Sequence, residues 1–213
     1  MTRFCNNNII IRCSKTFGEV VFIRELEQRI LNEGQILPGE VLKVGSFLNQ
    51  QIDTKLLKSM GEEIARLYQD CGVTKVLTIE SSGIAIAYAA AVSMGLPVVF
   101  AKKHRTSNLS GNILTSKVFS YTHQQTYDIA VSGDYITCGD TVLIVDDFLA
   151  KGNALAGLIE IVEKADAKLA GCAIAIEKGF QGGGDALRAK GIRVESLAII
   201  DSMTDDSLEF RPQ

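Results

Sequence analysis

The chain has 213 residues, 46% of them apolar and 22% charged, a balance typical of a globular protein with one sizeable core. The formal net charge of -3 argues against a broad basic surface for nucleic acid, and no apolar run approaches the roughly 18 residues of a membrane span. The five cysteines are odd in number and form no CxxC pair, which argues against a disulfide framework or zinc site and favours a reducing cytoplasm.

Residues 1–22 fit neither a signal peptide nor an amphipathic helix, because they lack both a cationic-then-apolar order and a sustained period. Apolar residues then recur at helical spacing, beginning with Leu26 and Ile30. We therefore expect residues 1–22 to be an extension outside the fold and residues 23–213 to form a single domain. A translation start assigned too far upstream would account for such an extension.

The following residues alternate between predicted helices and buried strands. Residues 41–52 show no clear period, and Asp53 then fits the N-cap of a helix that carries Leu56, Met60 and Ile64. The alternation predicts an α/β fold with a central, mainly parallel sheet flanked by helices and with ligands at the carboxyl ends of the strands. Strands are predicted at residues 73–80, 97–101, 140–145, 170–176 and 193–200, and further helices at 84–94, 153–165 and 184–190.

Residues 102–127 interrupt this alternation with a polar segment rich in Thr, Ser, Asn and Gly. A run of this length inside a compact domain is usually a lid or a hairpin. The segment begins with a basic cluster, formed by Lys102, Lys103, His104 and Arg105, at the end of a predicted strand. Such cations can stabilise an anionic leaving group, although a solvated basic edge is an equally common use of exposed charges.

Residues 141–154, which read TVLIVDDFLAKGNA, are the most informative segment. A strand buried on both faces ends in Asp146 and Asp147, and a small loop with Gly152 then opens a helix. Unpaired amides at a helix start suit a phosphate monoester, and carboxylates suit a vicinal diol or the waters on a magnesium ion. Together they describe a ribose 5-phosphate. The spacing alone leaves two alternatives open, acids that only cap the helix and the metal site of a hydrolase.

Residues 142–154 resemble the phosphoribosyl pyrophosphate (PRPP) signature of the type I phosphoribosyltransferases. Three more segments extend the resemblance to the bacterial xanthine phosphoribosyltransferases, and it runs from about residue 23 to the C-terminus. It implies the type I phosphoribosyltransferase fold with a small hood built from residues 23–53 and 178–213. The three segments are residues 41–53 (VLKVGSFLNQQID), 78–85 (TIESSGIA) and 175–181 (AIEKGFQ), of which FLN and EKGF are specific to the xanthine enzymes.

By this resemblance, two loops hold PRPP. The loop after the 140–145 strand wraps the 5-phosphate, and its Lys151 adds a charge where the family has small or polar residues. Asp146 and Asp147 hold the ribose hydroxyls and, indirectly, Mg²⁺. The second loop cradles pyrophosphate, although either of its serines taken singly also fits an ordinary N-cap. The 5-phosphate loop comprises Ala150, Lys151, Gly152, Asn153 and Ala154, and the pyrophosphate residues are Ser81, Ser82, Gly83, Lys102 and Lys103.

The resemblance places the purine between two remote segments of the chain. Lys178 donates to the exocyclic oxygens of an oxopurine, and Asn49 reads a ring edge with both a donor and an acceptor. Leu42 contacts the base, and Phe180 packs on its face. Without the resemblance, Asn49 would be interpreted as a loop-capping amide and Phe180 as a core residue.

The activity that the resemblance implies is the conversion of xanthine and PRPP to xanthosine 5′-monophosphate (XMP) and pyrophosphate in purine salvage. The enzyme would be a cytoplasmic, magnesium-dependent homodimer without a side-chain nucleophile or base. Two alternatives stay open, a guanine or hypoxanthine phosphoribosyltransferase and a non-catalytic regulator that senses purines or PRPP. The slightly acidic balance disfavours the regulator, since residues 1–22 are too short to supply a basic DNA-binding domain.

Overall fold

A computed structural model describes residues 17–103, 112–120 and 125–212. Within these residues the α-helices are α1 (Phe17–Glu33), α2 (Thr54–Leu67), α3 (Gly83–Met94), α4 (Asn153–Lys164) and α5 (Gly183–Ala189), with a π-helical turn at Gly45–Asn49 and a 3-10 turn at Gly179–Gln181. The strands are β1 (Gln35–Leu37), β2 (Val41–Lys43), β3 (Lys75–Ile79), β4 (Val98–Ala101), β5 (Ile113–Ser120), β6 (Gln125–Ser132), β7 (Thr141–Leu149), β8 (Lys168–Lys178), β9 (Val194–Met203) and β10 (Leu208–Phe210).

In the described part of the chain, six strands form the central sheet in the order β10-β9-β8-β7-β3-β4. All neighbours are parallel except β10, which is antiparallel to β9, so the predicted mainly parallel sheet is confirmed. From the neighbouring strands β3 and β7 the chain builds outward in opposite directions, to β4 on one side and to β8 and β9 on the other. Such a reversal opens a crevice at the carboxyl ends of the strands, where α/β proteins bind ligands.

The core lies on both faces of this sheet, and β7 contributes to both. Leu143 and Val145 pack in a cluster with side chains of α1, α2 and α3. Val142 and Ile144 pack in a second cluster, with α4 and the β5–β6 hairpin. All four side chains are fully buried, and each contributes about 1.5–3 kcal/mol by leaving water. The unbroken apolar run of this strand therefore follows from burial on two faces.

The length of β7 differs from the prediction. The predicted strand ended at residue 145, but β7 runs to Leu149 and so contains Asp146 and Asp147. Its pairing with β3 stops at Ile144, whereas its pairing with β8 continues to the end of the strand. The two acids therefore lie where the β3 side of β7 is open. An apolar pattern cannot reveal this, because the acids interrupt the pattern but not the backbone pairing.

Local sequence signals predicted the helix ends well. The Asp53 carboxylate accepts hydrogen bonds from the amides of Lys55 and Leu56, at 3.0 and 3.2 Å, and so caps α2 as expected. Gly95 ends α3 with a positive φ of 68°, which a residue without a Cβ adopts readily. No helix in the residues that the structure describes is long and apolar enough to span a membrane.

The predicted N-terminal boundary of the domain, residue 23, lies within helix α1. Helix α1 begins at Phe17, several residues before the apolar pattern starts, so residues 17–22 continue its backbone. The prediction used side-chain periodicity, whereas the helix is assigned from its backbone. Residues 1–16 lie outside the described part of the chain. The division into an extension and a domain at residue 23 stays a prediction.

The polar segment at residues 102–127 contains part of a hairpin. Strands β5 and β6 pair antiparallel from Ile113 opposite Ser132 to Ser120 opposite Gln125. Val118 and Ile129 are buried against the sheet, so one face of the hairpin belongs to the core. His104, Arg105 and the tip of the predicted lid lie outside the described residues.

Candidate active site

Two neighbouring clefts lie at the carboxyl ends of β3, β7 and β8. The larger has a volume of about 460 Å³ and contains the predicted 5-phosphate loop, Phe148 and Lys178. The smaller, about 150 Å³, contains the predicted pyrophosphate loop with Asp146 and Asp147. Tyr127 lines both clefts, as does Ala154 at the start of α4. The fold thus brings together segments that are separated by about 70 residues in the chain, as parallel strands do at one sheet edge.

The predicted 5-phosphate loop wraps the start of α4. Gly152 has a φ of 85° and directly precedes the helix, a conformation that favours glycine. The amide of Gly183 donates to the carbonyl of Ala150 at 3.1 Å, and the Asn153 side-chain amide donates to the carbonyl of Phe119 at 2.9 Å. The loop is therefore held from both sides, with the positive end of the α4 dipole at its centre.

Gly183 is required by this arrangement. A Cβ at this position would lie 2.2 Å from the carbonyl oxygen of Ala150 and 2.8 Å from the amide of Gly152. Both are backbone atoms, which cannot move aside as a flexible side chain can. The first residue of α5 therefore braces the 5-phosphate loop at a distance that only glycine permits.

The two acids of β7 share a buried site. Asp146 is 4% exposed and accepts from the amide of Asp147 at 3.0 Å. Burial, together with the charge of Asp147, raises the pKa of Asp146 well above its usual range. Burial also raises the pKa of Asp147, while hydrogen bonds from the Phe148 amide and the Asn49 side chain oppose this shift. Hydroxyl donors or a cation in the cleft would stabilise the ionised pair.

The start of α3 approaches Asp146 closely. A Cβ on Gly83 would lie 2.7 Å from Asp146 Oδ1 and 2.3 Å from Thr78 Oγ1. The Thr78 hydroxyl is fully buried and has no hydrogen-bond partner among the described residues. Glycine at position 83 therefore lets the pyrophosphate loop and the acid pair occupy one small space.

The predicted pyrophosphate loop lies between β3 and α3. The peptide bond between Glu80 and Ser81 is cis, and the Glu80 carboxylate accepts from the amide of Lys103 at 2.7 Å. Ser82 occupies the N-cap position of α3, where its hydroxyl makes no capping hydrogen bond within the described residues. The Lys103 ammonium lies 6.0 Å from the centre of the Tyr127 ring. Lys102 pairs with β6 through its backbone and lines neither of these clefts.

Lys178, the last residue of β8, points into the larger cleft. Its Nζ lies 2.5 Å from the carbonyl oxygen of Glu40 and 5.8 Å from the centre of the Phe148 ring. Burial lowers the pKa of Lys178, and the Glu40 charge opposes this shift. Sequence reasoning missed Phe148 as a site residue. The sequence feature that could have indicated Phe148 is its position directly after the acid pair.

The residue before Lys178 in β8 is Glu177, whose side chain is fully buried and fixes the backbone at this point. The Glu177 carboxylate accepts from both terminal nitrogens of Arg188, at 2.6 and 2.9 Å, and from the hydroxyl of Ser196. A buried charge that is paired and hydrogen-bonded in this way is a structural element. The end of β8 is therefore rigid at the point where Lys178 leaves it.

Three predicted purine contacts lie elsewhere. Leu42 is 6% exposed and belongs to the core, whereas its neighbour Val41 lines the cleft. Successive side chains of a strand point to opposite faces, which explains this exchange. Phe180 packs against the same core cluster, and Asn49 contacts Asp147. The structure thus brings Lys178 into the cleft without Leu42 or Phe180, whose contact with the purine stays a prediction.

The fold and these clefts are those of one known class of protein. Residues 49–193 match the family model of the phosphoribosyl transferase domain, and the chain belongs to this family. It is 48% identical to the xanthine phosphoribosyltransferase of Oceanobacillus iheyensis over 188 residues, 88% of this chain and 97% of the relative. It is 50% identical to that of Lactiplantibacillus plantarum over 188 residues, 88% and 96% of the two chains, and 50% identical to that of Clostridium novyi over 186 residues, 87% and 98%.

Solved structures support the same fold. The APRTase of Giardia lamblia in complex with 9-deazaadenine superposes with a TM-score of 0.70 at 24% identity, over 83% of this chain and 96% of that one. The adenine phosphoribosyltransferase of Rhodothermus marinus has a TM-score of 0.68 at 25% identity, over 84% and 98%. The predicted phosphoribosyltransferase fold is therefore confirmed.

Proposed function

We propose that this protein is a cytoplasmic enzyme that transfers the ribose 5-phosphate of PRPP to xanthine, forming XMP and pyrophosphate in purine salvage. The observation that carries the proposal is the near-50% identity to xanthine phosphoribosyltransferases over almost their whole length. The clefts at the β3–β7 crevice support it, because they contain a loop suited to the 5-phosphate, an acid pair suited to the ribose and a loop suited to pyrophosphate.

The roles at PRPP follow from the chemistry of each segment. The backbone amides of residues 150–154 bind the 5-phosphate at the start of α4, where the helix dipole favours an anion. Asp146 and Asp147 accept hydrogen bonds from the ribose hydroxyls. Residues 81–83 bind pyrophosphate at the start of α3, and the Lys103 charge stabilises the leaving group.

Mg²⁺ fits the acid pair. Among the described residues no group of three or more His, Cys, Asp or Glu side chains could hold a metal by itself. Mg²⁺ usually keeps several waters in its shell besides substrate phosphates, and the oxygens of Asp146 and Asp147 would accept hydrogen bonds from such waters. When bound with PRPP, the ion offsets the negative charge of pyrophosphate.

The transfer itself requires positioning and charge stabilisation from the protein. The bond between C1 of the ribose and pyrophosphate breaks with its electron pair going to pyrophosphate. A purine nitrogen bonds to C1, and the proton of that nitrogen passes to water or to the released pyrophosphate. Lys178 donates to an exocyclic oxygen of xanthine, and Phe148 offers its ring to the purine face. The predicted hood at residues 23–53 and 178–213 contributes Gly39, Glu40, Val41, Lys178 and Gln181 to the lining of this cleft.

The purine preference is tested by measuring pyrophosphate release from PRPP with xanthine, guanine and hypoxanthine. We expect kcat/KM to be about tenfold or more higher for xanthine, because a mismatched buried pair at C2 costs about 1–3 kcal/mol. Preference for guanine or hypoxanthine would assign the protein to that alternative. Binding of PRPP without release of pyrophosphate would favour the regulator.

We also propose that two copies of the chain associate through α3. Tyr88 and Val92, one turn apart on this helix, are 64% and 61% exposed, and Phe100 on the edge strand β4 is a further exposed aromatic residue. Large apolar side chains that are exposed together on one helix are typical of an interface. Changing Tyr88 and Val92 to glutamate is expected to convert a dimer to a monomer in sedimentation equilibrium. A wild-type protein with the mass of one chain would contradict the proposal.

A further inference from the structure

The turn between β1 and β2 crosses the mouth of the larger cleft and contacts its opposite side. The carbonyl oxygen of Glu40 accepts from Lys178 Nζ at 2.5 Å. The Glu40 carboxylate accepts from the side-chain amide of Gln181 at 2.7 Å. One residue of the turn thus binds two residues that lie about 140 positions later in the chain. All three line the cleft that contains the 5-phosphate loop.

Gln181 is held in place by the packing of the turn that carries it. It lies in the 3-10 turn Gly179–Gln181, and a Cβ on Gly179 would come within 3.1 Å of Asp201 and Arg211. Arg211 in turn donates to Asp201 at 2.7 Å and to Asp185 at 3.0 Å. The C-terminal segment therefore packs directly behind the turn that carries Gln181, and charged hydrogen bonds hold it there.

Glu40 is the less constrained side. Its side chain is exposed, and its backbone has a φ of 61°, in the left-handed region that few residues other than glycine, asparagine and aspartate adopt. A glutamate in this conformation needs contacts that hold it, and an outlier of this kind at a cleft is a reason to seek a role. Its contacts with Lys178 and Gln181 supply that stabilisation.

We propose that Glu40 is a positioning residue for the purine. Its hydrogen bond to Gln181 holds the β1–β2 turn over the cleft, and its carbonyl oxygen then orients the ammonium of Lys178. A lysine side chain is flexible and its ammonium has three donors. One donor is occupied by Glu40, so the others are directed into the cleft. This inference rests on the proposed role of Lys178 in binding an oxopurine.

The test compares variants that remove the hydrogen bond with one that keeps it. Glu40→Met and Gln181→Met preserve side-chain length without an acceptor or donor, whereas Glu40→Gln retains an acceptor oxygen for Gln181. We expect each methionine variant to raise the KM for xanthine by about tenfold, as loss of one charge-assisted hydrogen bond does. The KM for PRPP and kcat should stay unchanged, and Glu40→Gln should restore a low KM for xanthine.

The double variant distinguishes this role from general weakening of the fold. Because both changes break one contact, Glu40→Met with Gln181→Met should raise the KM for xanthine no more than either change alone. An unchanged KM in the single variants, or additive effects, would overturn the proposal. A lowered KM would overturn it too, since the turn would then obstruct the purine. If the wild type prefers another oxopurine, the proposed substrate fails, and the same comparison made with that purine still tests Glu40.

Discussion

Replacement of both Asp146 and Asp147 by asparagine is expected to lower kcat/KM for PRPP by about 100-fold or more. Each acid accepts from a ribose hydroxyl in the proposed complex, and a hydrogen bond to a charged group contributes about 1.5–3 kcal/mol. Two such contacts are lost together, along with the charge that suits Mg²⁺. Steady-state kinetics with PRPP as the varied substrate measures the effect.

The same double variant is expected to be at least as stable as the wild type at pH 7. Burial raises the pKa of both acids. An acid with a raised pKa in the folded protein stabilises the fold below its unfolded pKa, and that contribution is lost as the pH rises through its folded pKa. Ionisation of the buried pair therefore lowers the stability of the fold, and asparagine removes that cost. The Tm at pH 7 should stay equal or rise, so reduced activity would not reflect unfolding.

Asp166→Asn is the matched control for this experiment. The residue is exposed, lies outside both clefts and has a φ of 53°, a conformation that asparagine tolerates. Its kinetics and Tm should match the wild type. Wild-type kcat/KM for PRPP in the Asp146 and Asp147 double variant would contradict the assigned roles.

Gly183→Ala is expected to raise the KM for PRPP by at least about tenfold and to destabilise the fold by about 1–3 kcal/mol, as overpacking does. The new methyl group would lie 2.2 Å from the carbonyl oxygen of Ala150 and 2.6 Å from the carbonyl carbon of Lys151. Helix α5 and the 5-phosphate loop must therefore separate. The hydrogen bond from the Gly183 amide to Ala150 is lost, and the amides no longer converge on one phosphate.

Gly139→Ala provides the control, since a Cβ at that position meets no atom within 4 Å. Urea unfolding should give wild-type stability for Gly139→Ala and a lower midpoint for Gly183→Ala. The KM for xanthine should change less than that for PRPP, because the new methyl group meets the backbone of the 5-phosphate loop at Ala150, Lys151 and Gly152. An unchanged KM for PRPP in a folded Gly183→Ala protein would show that the brace is unnecessary.

Elements with a strong local signal were predictable from the sequence. The apolar run of β7, the Asp53 cap and the glycine that ends α3 each act within a few residues, and all three predictions are confirmed. The three-residue strands β1 and β10 were missed, because so short a segment carries no period. For the segment that forms the β5–β6 hairpin, the sequence predicted either a lid or a hairpin. Its many polar side chains obscured the alternation of apolar and polar residues that marks a strand.

The sequence by itself determined the parallel sheet, the acid pair and the loop that begins α4, since each depends on residues close together in the chain. Only the tertiary structure decided which side chains meet across the cleft. In the structure Phe148 and Glu40 contact Lys178, and Leu42, which was predicted to contact the purine, lies in the core. The physical reason is that such contacts depend on strand register and on packing between segments that are distant in the chain. No pattern in a local stretch of chain contains that information.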